Sequence, residues 1–214
     1  RMEIEADTPV DYDVDLGNGF LMRHGYTVMA CGWQVDTPKK PALITLQGHT
    51  VEGMTGRVYT QLQSQSDTHN LLLSDKGHQP YPAADMVEAG ASLEVRDMPD
   101  TEAYPVPRDQ WRFGRLEADG TYVPDPGYIC SEKGFEKGRL YQIVYTTDWA
   151  PILGLSFAAL RDSVSWLKYG SDSTARPIEN IRHAYAYGIS QTGRYLRTYI
   201  YNDFNRDESD REAL

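Results

Sequence analysis

His183-Ala-Tyr-Ala-Tyr-Gly-Ile-Ser-Gln-Thr-Gly-Arg-Tyr-Leu-Arg-Thr-Tyr-Ile-Tyr201 is the stretch from which the rest of the chain can be placed. His183 to Tyr187 reads as a compact strand, and Arg194 to Tyr201 has the pattern of a helix. Between them, Gly188-Ile-Ser-Gln-Thr-Gly193 leaves room only for a tight turn with Ser190 inside it. The predicted order is therefore strand, turn with a serine, helix.

That order matters because a serine hydroxyl is a poor nucleophile until a turn presents it to a base and its reaction products are stabilised. In the usual Gly-x-Ser-x-Gly form, the residues two before and two after the serine are small, since strand and helix approach closely there. Gly188 fills the first small position, but Thr192 stands at the second, with Gly193 one residue later. Ser190 is the nucleophile candidate, and Gly188, Thr192 and Gly193 shape its turn. The backbone N–H of Gln191, at the positive end of the following helix, is placed to meet a developing oxyanion. The competing role for Ser190 is a helix N-cap, the commonest work of a serine at that place.

Composition sets the bounds around this motif. With 214 residues, 40% hydrophobic and 24% charged, the chain can bury a proper core and has none of the marks of a disordered or fibrous protein. A net charge of -10 disfavours nucleic acid, whose affinity comes mostly from Lys and Arg neutralising phosphates. Uncharged apolar runs such as Ala150 to Leu160 reach about half of the roughly 20 residues of a membrane span, so none is expected. The opening Arg1-Met-Glu-Ile-Glu5 lacks a signal peptide's features and gives no address. Cys31 and Cys130 form no Cys-x-x-Cys pair, and whether they bridge is open; Cys31, in an apolar run, reads as a buried small residue. No His, Cys and Asp cluster has metal-ligand spacing, so no metal is expected.

Upstream of the serine, Leu153 to Tyr169 predicts a long helix, with Leu153, Phe157, Leu160, Val164 and Leu167 along one face. Leu16 to Gly25 predicts a short helix ending at a glycine, and Tyr26 to Cys31 a buried strand stopped by Gly32. Arg139 to Tyr145 reads as another strand. Between Pro38 and Lys137 the texture is β-rich, with Ala42–Leu46, Thr55–Leu62, Ser92–Arg96 and Trp111–Leu116 as short strand candidates among Gly, Pro and Asp clusters.

Taken together, these residues resemble the bacterial α/β-hydrolase-domain proteins whose turn reads Gly-x-Ser-Gln-x-Gly-Arg, followed by an aromatic and a second arginine. Gly188 to Arg197 carries that pattern, and Asn202-Asp-Phe-Asn205 is similar to the family's Gly-Phe-Asn with Asp203 in the glycine's place. Gly25 to Asp36 is similar to its strand and Gly-Trp-Gln-x-Asp loop, Arg161 to Leu167 to its Arg-Asp helix, and Gly134-Phe-Glu-Lys-Gly138 with Tyr141 and Tyr145 also fits.

The resemblance implies an α/β fold: a partial α/β-hydrolase sheet with a β-rich insertion. Its parts are a first piece of hydrolase core over 1–37, the insertion over 38–137, and core with the serine turn over 138–214. It implies serine-dependent hydrolysis of a small-molecule carboxylic ester through an acyl-enzyme, with no cofactor; the acyl and alcohol groups and the oligomeric state stay open. Trp33 and Gln34 are candidates for the substrate mouth. A pseudo-hydrolase or binding protein of the same fold is the alternative that Thr192 raises, and a peptidase of that fold is another.

The family's chain order is Ser, then Asp or Glu, then His, so the acid and histidine are expected beyond Leu214, and the chain reads as cut at both ends and inactive as a fragment. Of the histidines present, His183 begins the predicted strand and reads as structural, His24 ends a helix, and His49, His69 and His78 read as exposed. Asp162 is expected in an ion pair, Arg194 and Arg197 beside carboxylates, and the acidic residues from Asp203 to Glu212 on a solvated face.

Overall fold

The computed structural model describes residues 18–38, 40, 43–170 and 180–214. Of these, 36–38, 40, 43 and 49–152 form one compact unit, and 18–35, 44–48, 153–170 and 180–214 form a second.

Among the described residues, the first unit is built from nine antiparallel-paired strands: β1 (Gly56–Gln63), β2 (Thr68–Leu72), β3 (Ser92–Arg96), β4 (Tyr104–Val106), β5 (Arg112–Phe113), β6 (Arg115–Leu116), β7 (Tyr122–Val123), β8 (Tyr128–Phe135) and β9 (Leu140–Thr147). They form sheets in the orders β1-β9-β3-β4, β2-β8-β5 and β6-β7. The period of two explains the register. Along β9, Tyr141, Ile143 and Tyr145 are buried, and they stand opposite Leu62, Thr60 and Val58 of β1. Leu93 of β3 faces Ile143 from the other side.

That apolar face shares one core with Leu71, Phe113, Ile129 and Phe135 of the second sheet. Edge-to-face ring pairs, Phe113–Tyr145 at 5.7 Å and Phe135–Tyr141 at 5.0 Å, join the two faces. The buried Tyr145 hydroxyl donates to the Tyr81 carbonyl at 2.6 Å, and burial pushes its pKa far up. β4 is an edge strand and carries Pro105, which has no N–H to lose there. The β-rich unit thus runs past the expected boundary at 137. The strand read over Arg139–Tyr145 becomes β9, held centrally because both of its edges find antiparallel partners.

The second unit is organised by helices: α1 (Phe20–Arg23), α2 (Leu155–Tyr169) and α3 (Gln191–Tyr201). Among the described residues it contains no strand, so the stretches read as strands over Tyr26–Cys31 and His183–Tyr187 pair with nothing here. Their sequence periodicity is real, but a strand exists only through a hydrogen-bonded neighbour. The partial hydrolase sheet expected in this region is therefore not seen among the described residues. Nor is a strand formed by residues 43–46 in the expected Ala42–Leu46; residue 42 lies outside the described residues, as do 16 and 17 of the first predicted helix. α1 covers only Phe20–Arg23 and buries none of its residues. Cys31 is exposed rather than buried, and both cysteines are free.

α2 begins two residues later than its apolar face suggests. Leu153 lies outside it at 65% exposure, while Val164 is buried and Phe157, Leu160 and Leu167 are half-buried. α3 buries Tyr195 and Tyr199, one turn apart. Burial pushes the Tyr199 hydroxyl up to about 12, and among the described residues that hydroxyl has no hydrogen-bond partner. Arg161 pairs with Asp162 at 2.7 Å, as the sequence suggests. Arg194 and Arg197 are both exposed and, among the described residues, pair with no carboxylate.

After α3 the chain turns at Asp203, whose φ of 59° lies in the left-handed region. Its side chain is exposed there, so only the backbone conformation opposes it. Asp203→Gly is expected to stabilise the protein by about 0.5–1 kcal/mol, read from chemical denaturation. A loss of stability would show that the aspartate side chain does something the backbone argument omits.

The chain from 205 to 214 then folds back on α2. Lys168 Nζ donates to the carbonyls of Glu212 and Ala213 at 2.8 and 2.9 Å, the Tyr169 hydroxyl to that of Glu212 at 2.7 Å, and Ala213 is fully buried. The solvated face expected over 203–212 is interrupted at Asp207, whose side chain is only 6% exposed. Its carboxylate accepts hydrogen bonds from the Arg211 guanidinium at 2.9 Å, from Ser165 Oγ at 2.5 Å and from the Ser209 and Arg211 backbone. Arg211 foremost, then Ser165, holds Asp207 well below the usual carboxylate range.

A depressed acid pKa means that below the ordinary carboxylate pKa the unfolded chain binds more protons than the folded one, so stability rises with pH there. The Asp207 contribution is present in full above about pH 4 and is lost as pH falls further. Urea midpoints measured from pH 3 to 6 should fall at the acid end in the parent and less steeply in Asp207→Asn. Equal slopes would remove Asp207 from the acid response.

Candidate active site

Ser190 stands at φ 53° and ψ −113°, outside the regions that L-residues ordinarily occupy, immediately before α3. Such a conformation costs of order 1–3 kcal/mol and persists only where the surroundings impose it. They do so through Gly188. A Cβ there would lie 2.7 Å from the Thr192 carbonyl carbon, 2.8 Å from its oxygen and 2.9 Å from the Gly193 nitrogen. The limb entering the turn thus touches the backbone of the helix start. From the helix side, a Cβ on Gly193 would come within 3.1 Å of the Gly188 oxygen.

This geometry deals with the substitution at 192. The approach runs over the main chain of Thr192 and over Gly193, so the threonine side chain does not stand between limb and helix. Thr192 N–H donates to the Ile189 carbonyl at 3.1 Å, which closes the turn, and Arg194 N–H donates to the Ser190 carbonyl at 3.0 Å, which begins the helix.

The capping role open to Ser190 is not the one it plays. Its side chain makes no cap hydrogen bond, and the residue is exposed. Gln191 is the first helical residue, where backbone N–H groups have no acceptor within the helix. A hydroxyl that makes no cap hydrogen bond therefore sits next in sequence to backbone donors without helical acceptors. His183, exposed, has its ring 6.4 Å from that of Tyr185. Tyr185, Tyr187 and Ile189, alternating along the limb, are 78%, 84% and 68% exposed.

Gln34 accepts at its carbonyl from Leu46 N–H and Thr45 Oγ1, both at 3.0 Å. The Trp33 ring stacks on Tyr195 of α3, with centroids 4.9 Å apart and planes 28° apart. Tyr195 in turn stacks on Phe157 of α2 at 4.8 Å and 13°, and donates its hydroxyl to the Ser156 carbonyl at 2.8 Å. The sequence reading includes Tyr195 only as the aromatic after the serine turn and gives it no role. The signal available was its spacing from Tyr199, four residues on, which puts two aromatics on one face of α3.

Among the described residues, no three His, Cys, Asp or Glu side chains are grouped to hold a metal ion, and no helix is long and apolar enough to cross a membrane.

Residues 109–214 match the family model described as alpha/beta hydrolase domain. The matched region begins within the β-rich unit and takes in α2, the Ser190 turn and α3. The chain is to that extent similar to hydrolase-fold proteins, and the match is compatible with hydrolase activity. No curated protein and no solved structure matches the chain.

Proposed function

We propose that Ser190 is the nucleophile of a serine-dependent hydrolase that cleaves small-molecule carboxylic esters through an acyl-enzyme. The observation that carries this reading is the positive φ of Ser190, held by the Gly188 approach at the start of α3, with its hydroxyl left out of helix capping. A serine that only capped the helix would need neither the strain nor the free hydroxyl.

In the proposed reaction, Ser190 Oγ attacks the ester carbonyl carbon while a histidine base takes its proton. The carbonyl oxygen becomes an oxyanion, and the Gln191 N–H donates to it. Donors of this kind act strongly because they are fixed before charge develops; losing one typically costs roughly 3–4 kcal/mol of transition-state stabilisation. Collapse expels the alcohol, which receives the proton from the histidine and leaves the acyl group on Ser190. Water, activated by the same base, then releases the acid. In hydrolases of this kind the base and its acid partner follow the serine in chain order.

The direct test is a fluorophosphonate probe applied to the full-length protein. Labelling that maps to Ser190 and disappears in Ser190→Ala is the expected result, and absence of labelling at Ser190 sinks the reading. Turnover of matched ester and amide substrates tests the ester assignment, with ester preferred.

A further inference from the structure

We propose that Trp33 is a positioning residue for the Ser190 reaction, acting through Tyr195 rather than by touching substrate. The inference rests on the proposed nucleophilic role of Ser190. It departs from the sequence reading, in which Trp33 borders the substrate mouth.

Residues 32–34 are fixed from one side by the segment at 44–46. Gly32 lies so close to it that a Cβ would be 2.8 Å from the Thr45 carbonyl carbon and 2.9 Å from its oxygen, backbone atoms that cannot step aside. Gln34 is tied there as well, its carbonyl accepting the Leu46 N–H and the Thr45 hydroxyl. These contacts hold the two neighbours of Trp33 but leave its ring to stack on a different element, α3.

The ring it meets is itself immobilised. Tyr195 is 8% exposed, its far face covered by Phe157 and its hydroxyl bonded to Ser156 at the beginning of α2. Phe157 also meets Phe204, beyond the end of α3, with the rings tilted by 31° at 5.1 Å. Trp33 therefore rests on a residue that cannot rotate away without breaking both a ring stack and a buried hydrogen bond. Tyr195 follows Ser190 by little more than one helical turn on the same rigid element. A stack at that point registers the 32–34 loop against the helix whose first residue, Gln191, carries the proposed oxyanion donor.

The Trp33 ring is only partly available to substrate. One face of the Trp33 indole is occupied by Tyr195 at 4.9 Å, and the residue as a whole is only partly exposed. Losing the ring would let the loop drift relative to α3, and misplacement by about 1 Å can cost about 10²-fold in rate. Because the change lies in alignment, the cost belongs in kcat.

The experiment uses the full-length protein with an ester substrate and a fluorophosphonate probe. Trp33→Leu should lower kcat about 10²-fold with KM within about twofold, and slow probe labelling of Ser190 in parallel, while Trp33→Phe, which keeps a stacking ring, should recover most of the rate. Trp33→Leu in a Tyr195→Leu background should cost little more than Tyr195→Leu alone, because both remove one stack. A rise in KM with kcat unchanged would make Trp33 a substrate contact and overturn the proposal. So would full activity in Trp33→Leu, or additive losses in the double variant. If Trp33→Leu does not fold, Trp33→Phe and Trp33→His decide: both retain a ring, and a role in substrate contact would separate them by KM rather than by kcat. Failure of the parent to label at Ser190 would instead defeat the underlying functional reading.

Discussion

Ser190→Ala is expected to lower kcat for ester hydrolysis by about 10⁴- to 10⁶-fold while leaving the fold in place, since only the hydroxyl is removed and alanine inherits the same backbone strain. The Ser190 side chain makes no cap hydrogen bond, so its removal unties nothing in α3. Steady-state kinetics together with thermal unfolding read both halves of this expectation. A fall in activity matched by a fall in stability would mean that the hydroxyl works as structure. A small loss of activity with unchanged stability would move the nucleophile elsewhere.

The second large effect is expected at Gly188. In Gly188→Ala the new methyl would meet main-chain atoms of Thr192 and Gly193 at 2.7 to 2.9 Å. Backbone in the first turn of a helix cannot yield as the tip of a flexible side chain can, so the limb and α3 must separate. Overpacking of this kind costs about 1–3 kcal/mol, and it displaces Ser190 with it. A shift of about 1 Å at the nucleophile can cost about 10²-fold in rate. Gly188→Ala should therefore combine a lower denaturation midpoint with a kcat loss larger than the unfolded fraction explains. Wild-type behaviour in both measurements would show that the close approach is not what sets the turn. The matching change at the other side of the contact, Gly193→Ala, meets the Gly188 oxygen at 3.1 Å and its carbonyl carbon at 3.6 Å and should be milder.

How much of this was legible in the sequence follows from the range over which each interaction acts. The helix at α3 and the position of Ser190 in the turn before it depend on residues within a few positions of one another, and both could be read from the sequence around Gly188–Gly193. The alternating strands were found where alternation was clean: Thr55–Leu62 lies within a residue of β1, Ser92–Arg96 coincides with β3, and Arg139–Tyr145 falls largely on β9.

The misreadings occur where structure depends on distant partners. Tyr26–Cys31 and His183–Tyr187 have the composition of buried strands, yet among the described residues no neighbour pairs with them, and composition does not reveal whether a partner arrives. β8 went unread because Tyr128–Phe135 contains Ser131, Glu132, Lys133 and Gly134. Its strand character comes from β2 and β5 on its two sides. Asp207 looked like one acidic residue among many, since nothing local announces that Ser165, far back along the chain on α2, will reach its carboxylate. In the site, the turn was readable, whereas the Trp33–Tyr195 stack joins residues far apart in sequence and could be seen only in three dimensions.

The central place of β9 has a consequence for the order in which the protein can form. Of the four strands β1, β3, β4 and β9, the one made last stands between β1 and β3, so those two have no shared template until Thr147 has been made. Such long-range closures are entropically costly and slow, which leaves the earlier strands exposed to wrong partners while they wait. The helical unit waits longer still, because residues 18–35 are made before the sheet unit and meet α2 and α3 only after it has been synthesised. Nascent Trp33 thus waits for Tyr195 until the sheet unit has been made, and a chaperone that shields that segment would act at the point of greatest need.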